Sequence, residues 1–144
     1  MRWLSLLAVA LLAVLPARAA DAPWTRATVP AMKTSIYVGS VTLTTGTFER
    51  AGDRWSTTYK AKVFPWFPWS ENGDIMIVVT DADLARLARG ETVEFTGDAK
   101  NHKGKPRKVT GRAQPANDHA GKIKVRIAVD DVELIFNGTY ELAR

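Results

Sequence analysis

The side chains that could move protons in this 144-residue chain are few, and none is placed to work on another. Acid–base or nucleophilic catalysis needs titratable groups within hydrogen-bond reach of each other and of a reacting atom. The two histidines, His102 and His119, fall in stretches rich in Asn, Lys, Gly and Pro that read as turns, and neither accompanies a serine in a nucleophile-type context. Asp118 precedes His119, but two donors fall short of the three or four that a metal centre gathers. Asp81 and Asp83 sit where a short helix is expected to begin, and an acid there is stabilised by the positive end of the helix dipole. The sequence has no cysteine and no phosphate-cradling glycine loop. These residues predict a protein that is not an enzyme and carries no cofactor or metal.

Two other groupings could bind without reacting. The segment Phe64-Pro65-Trp66-Phe67-Pro68-Trp69 places four aromatic rings and two prolines between apolar-alternating runs. Proline cannot donate to a strand ladder, so this segment is expected to be a loop or strand end. Its rings could line the mouth of a cavity, touch a membrane or apolar chain, or plug one end of the domain. The second grouping is a basic run from Lys100 to Arg126, in which Lys108, Arg112, Lys122, Lys124 and Arg126 face one side of predicted strands. Alone it suggests an anionic envelope component as partner. If Gly97 pairs with Val109 in a hairpin, Asp98 faces Lys108 and Glu94 faces Arg112, so part of this charge is neutralised across strands.

The elements that must position these groups are strands. In Trp55 to Val63, Trp55, Thr57, Tyr59, Ala61 and Val63 share one face, and Ser56, Thr58, Lys60 and Lys62 the other. The same alternation recurs over Val93 to Ala99, Lys122 to Val129 and Val132 to Leu142, each strand with one dry and one wet face. Turn signals lie at 51–53, 71–74, 101–105, 115–121 and 130–131, close enough to make successive hairpins. Helical spacing occurs once, near 81–89, with Thr80 or Asp81 to cap it and Gly90 to end it. The expected fold is all-β: an antiparallel barrel of seven to eight strands, with that one short helix. A sandwich is the alternative way to bury one dry face. Trp55, Tyr59, Phe95, Phe136 and Tyr140 fall on dry-face positions and would line the interior.

The first residues read as an export signal. Arg2 precedes an apolar run from Trp3 to Leu15, and Pro16-Ala17-Arg18-Ala19 supplies a breaker and a small-x-small cleavage pattern. That run is shorter than the roughly twenty residues of a membrane-spanning helix. The expected organisation is a signal peptide over 1–19, an extended arm over 20–34 carrying Pro23 and Pro30, and the barrel domain over 35–144. Removing the signal lowers the basic groups from 20 to 18 against 15 acids, for a charge of about +3. A periplasmic or secreted location and that modest charge both argue against a nucleic-acid partner, and no integral membrane segment would remain after cleavage.

Two stretches resemble the YceI-like family of bacterial periplasmic proteins. Thr45-Gly46-Thr47-Phe48-Glu49-Arg50-Ala51-Gly52-Asp53 is similar to that family's Gly-x-Phe strand and glycine turn. Val93-Glu94-Phe95-Thr96-Gly97-Asp98-Ala99, followed by Gly104-Lys105-Pro106-Arg107-Lys108-Val109-Thr110, is similar to its Phe-x-Gly-x-Leu strand and the turn and strand after it. The resemblance implies a lipocalin-like barrel that binds a polyisoprenoid or lipid-like molecule. The family's longer helical segment before the central strands is represented here only by Asp81 to Arg89. The function expected from the sequence is an exported carrier for an apolar or amphiphilic small molecule, with Phe64, Trp66, Phe67 and Trp69 at its entrance. The alternative is a filled barrel acting as an envelope adaptor through its basic face.

Overall fold

The structure is a computed structural model, and residues 24–144 are described. The expected signal peptide over 1–19 lies outside the described residues. Ten strand segments form one antiparallel sheet: β1 (Arg26–Thr28), β2 (Met32–Ile36), β3 (Gly39–Thr45), β4 (Phe48–Ala51), β5 (Arg54–Phe64), β6 (Glu71–Val78), β7 (Val93–Asn101), β8 (Pro106–Pro115), β9 (Ala120–Val129) and β10 (Val132–Ala143). The order β5-β4-β1-β10-β9-β8-β7-β6 returns to β5 through a β5–β6 pairing, which closes an eight-stranded barrel. Closure leaves no sandwich and buries the dry face of every strand against the others.

The arm expected over 20–34 is, from residue 24 onward, barrel wall. Ala27 pairs with Leu142 and Phe48, and Met32 pairs with Leu43. Pro30, which lacks a ladder donor, separates β1 from β2 without preventing either piece from pairing. A break at Gly46 and Thr47 divides β3 from β4 in the same way, both lying along β5. Each such pair behaves as one bent stave, so the first two staves are too interrupted to show a long period of two.

The turn expected at 71–74 is also corrected, because Glu71 to Asp74 begin β6. Gly73 pairs with Tyr59 on one side and Asn101 on the other. A Cβ at Gly73 would lie 2.0 Å from the Lys100 carbonyl oxygen, so close backbone approach, not reversal, accounts for the glycine. Reversal occurs earlier, in a 3₁₀ turn over Phe67–Trp69.

The helix α1 (Asp81–Ala88) forms as its sequence directs. Thr80 Oγ1 accepts from the Asp83 amide, and the Asp83 carboxylate accepts from the Thr80 amide, a reciprocal capping box. Gly90 follows with φ 83°. Leu84 and Leu87 turn toward the barrel interior, and Asp81 meets the Arg50 guanidinium, which also donates to the Trp24 and Gly52 carbonyls. The helix therefore sits across the barrel end where β6 finishes and β7 begins.

Inside, Trp55, Phe136, Leu43, Val93 and Val109 are the most completely buried side chains. Gly111 and Gly138 face inward but leave no space. A Cβ at Gly111 would meet the Phe95 ring at 2.2 Å, and one at Gly138 would meet Met32 Cγ at 2.6 Å. Outward positions carry Ser, Thr, Lys, Arg, Asp and Glu. No helix among the described residues is long and apolar enough to cross a membrane.

Candidate functional site

Strand direction divides the candidate residues between the two ends of the barrel. β5 runs from Arg54 and Trp55, beside α1, to Phe64, so its eleven residues extend roughly 30 Å between the two ends. The α1 end holds an apolar cavity of about 70 Å³ whose wall presents no polar surface. Leu84 and Leu87 cover it, and Trp55, Phe95, Ala113 and Tyr140 form part of its wall. The Trp55 indole N–H is satisfied by the Val79 carbonyl at 3.2 Å, which leaves the ring's apolar body to the interior. Burial pushes the Tyr140 phenol up and keeps it neutral.

Of the five interior aromatics expected from the sequence, all are buried, but only Trp55, Phe95 and Tyr140 line the cavity. Phe136 packs in the core. Tyr59 belongs to a polar cluster toward the opposite end, where its hydroxyl donates to Glu71 Oε1 at 3.0 Å.

That cluster was not anticipated from the sequence. Arg107 points inward with only 7% of its side chain exposed, and donates from Nη2 to Glu71 Oε2 at 3.0 Å and from Nε to Oε1 at 3.3 Å. Its Nη1 reaches Asp130 at 3.3 Å, and Asn101 Nδ2 donates to Glu71 Oε2 at 3.1 Å. Burial acts to push Glu71 up, but the hydrogen bonds from Arg107, Asn101 and Tyr59 outweigh it and hold its carboxyl below the ordinary range. Tyr59 is pushed up by burial and by its bond to Glu71. The bond to Glu71 likewise raises Arg107 against the effect of burial. Strand parity contained the signal: Arg107 shares the inward phase of Val109, Gly111 and Ala113, and Asn101 that of Gly97 and Ala99. The cluster closes the β7–β8 turn end with a charge-paired plug in which the Glu71 carboxylate is engaged by Arg107, Asn101 and Tyr59.

The aromatic loop lies at that plugged end and does not reach the cavity. Phe64, Trp66, Phe67 and Trp69 are all exposed, so they neither fill the barrel nor guard the mouth of its apolar cavity. Proline at 65 and 68 and the 3₁₀ turn direct the chain outward, and every inward position nearby is already taken by Tyr59, Val63 and the Glu71–Arg107 pair. Entrance to the cavity, where the sequence placed these four rings, is instead bounded by α1.

The basic face forms with the expected register. Gly97 pairs with Val109, Asp98 with Lys108 and Glu94 with Arg112, whose side chains approach to 3.6 Å. Arg126 is paired with Glu133 at 2.9 Å. Lys122 and Lys124 make no ion pair among the described residues, and Lys124 stands directly opposite Arg112. Of the histidines, His119 Nδ1 lies 2.7 Å from Asp118 on an exposed turn, and His102 contacts the Asn72 backbone. The contact with His119 holds the Asp118 carboxyl below its ordinary value. Among the described residues no group of three or more His, Asp or Glu side chains is gathered as a metal site would require.

No protein-family model matches the chain, and neither a curated protein nor a solved structure does so.

Proposed function

We propose that this protein is an exported, non-catalytic carrier that takes up the apolar part of a small molecule, isoprenoid- or lipid-like, at the α1 end of its barrel. The observation that carries this reading is the wholly apolar cavity beneath Leu84 and Leu87. Ligand sites in proteins of this kind are concave and apolar, with volumes of about 300–1,000 Å³. At about 70 Å³ the cavity takes only a few carbon atoms as it stands. A longer hydrocarbon is accommodated by displacement of α1, which contributes only Leu84 and Leu87 to the cavity wall and is tied to the barrel wall by the Arg50–Asp81 contact at its first turn. The likeness of 45–53, 93–99 and 104–110 to YceI-like sequences supports the same class of ligand, and the N-terminal signal pattern supports a periplasmic or secreted setting.

Mass spectrometry on organic extracts of the purified protein, followed by titration with farnesol and with a panel of fatty acids, tests the reading. A co-purifying apolar molecule or saturable binding that Ala113→Leu abolishes is the expected result. No extractable ligand and no binding across the panel would refute it.

The second reading, a filled barrel that docks an anionic envelope component, draws on the smallness of the cavity and on Lys122 and Lys124, which make no ion pair among the described residues. Binding that weakens steeply with salt and disappears when Lys122, Lys124 and Arg126 are reversed to Glu would favour it over the carrier.

A further inference from the structure

Six of the exposed large apolar residues gather at the end of the barrel remote from the cavity. The Tyr37-Val38 turn lies against the aromatic loop, because Gly39 abuts the Phe64 carbonyl and the Pro65 ring. Phe64, Trp66, Phe67 and Trp69 complete the patch, with Trp69 66% exposed. These rings are held in place and not loosely displayed. Trp66 and Trp69 stack with centroids 5.7 Å apart, and Phe64 and Phe67 meet edge to face at 5.9 Å. The loop backbone is fixed by Trp69 N–H to the Trp66 carbonyl and by Ser70 Oγ, which accepts from the Val63 amide. Ordered, exposed rings of this number cost free energy in water and signal an interaction surface.

The charges around the patch identify its occupant. Lys62, Lys103 and Lys105 are exposed at the same end and make no ion pair among the described residues. Glu71 and Asp130 at this end are both engaged by Arg107, which leaves Asp74 and Asp131 as the opposing charges against Lys62, Lys103 and Lys105. The rim is therefore cationic around an amphipathic aromatic tip. Tryptophan rings settle at the headgroup level of a bilayer, and lysines beside them are attracted to anionic lipid. A second copy of the chain would present the same cationic rim, so docking tip to tip would bring like charges together.

We propose that the tip formed by residues 37–38 and 64–69 docks on the surface of an anionic lipid bilayer, with the aromatic rings at headgroup depth and the barrel standing above it. The proposal does not depend on whether the cavity at the other end takes a ligand.

Cosedimentation with phosphatidylcholine–phosphatidylglycerol vesicles, against phosphatidylcholine alone, tests it. The protein is expected to bind the anionic vesicles, with a blue shift in tryptophan emission and weakening by salt. Each of Lys62→Glu, Lys103→Glu and Lys105→Glu should lower binding by about fivefold or more. Trp66→Ser with Trp69→Ser should lower it by about tenfold or more. Thermal unfolding of these surface variants should match that of the unaltered protein, and Trp69→Ser alone serves as the variant if the double substitution unfolds. No binding to anionic vesicles, binding unchanged by loss of both tryptophans, or concentration-dependent dimerisation through the tip in place of vesicle binding would overturn the proposal.

Discussion

Substituting Arg107 by Ala removes the cation paired with the inward Glu71 carboxylate. Glu71 has 15% of its side chain exposed, and after the change it retains only Asn101 and Tyr59 as donors. Breaking a buried ion pair on one side costs roughly 3–5 kcal/mol, and the two surviving donors place this case at the lower end, about 3 kcal/mol. For a domain of this size that corresponds to a drop in Tm of roughly 10 °C. The pH dependence gives the prediction its sign. In the unaltered protein Glu71 is held below its unfolded value, so its stabilising contribution is complete above about pH 4.3 and is lost as the pH falls through the lowered folded value. In Arg107→Ala the upward push of burial loses its strongest opponent, so protonation relieves the variant. The stability gap between the two proteins should therefore be widest near pH 7 and narrow toward about pH 4. Urea unfolding followed by circular dichroism across that range measures it. A gap below about 1 kcal/mol at pH 7, or one that does not change with pH, would refute the assignment of Arg107 and Glu71 as a coupled inward pair.

Other substitutions probe the remaining devices. Gly111→Ala should destabilise the barrel by about 1–3 kcal/mol in chemical denaturation, because the new Cβ lies 2.2 Å from the Phe95 ring and 2.8 Å from the Lys124 carbonyl oxygen. Thr80→Ala removes the acceptor of the Asp83 amide and should cost about 1 kcal/mol in the same assay. Lys124→Glu replaces a like-charge neighbour of Arg112 by an opposite one and should stabilise by about 0.2–1 kcal/mol, with the gain shrinking in high salt.

Much of the barrel was legible because β5, β7, β9 and β10 are written in long runs of alternation. Trp55 through Val63 and Ile123 through Val129 announce their inward faces, and the 97–109 hairpin register follows from its turn. The first two staves were obscured for a local reason: Pro30 and Gly46 cut them into pieces of three to seven residues, too short for a period to register. Asn72-Gly73 carries a hairpin signature that tertiary pairing overrides, since the β7 backbone approaches too closely for a side chain at 73. The site divided along the same line. Trp55, Phe95 and Tyr140 were found by phase, whereas Arg107 was hidden among lysines that share its charge but not its face. The loop rings were recognisable as unusual, but periodicity says nothing of which barrel end a loop occupies. That required the chain direction through β5.

The carrier reading stands on which end of the barrel responds to an apolar molecule. A backbone-amide NMR titration with farnesol measures this directly. Saturable shifts centred on Leu84, Leu87, Ala113 and Tyr140, absent in Ala113→Leu, are the predicted result. No shifts, or shifts confined to the Trp66–Trp69 loop, would contradict it.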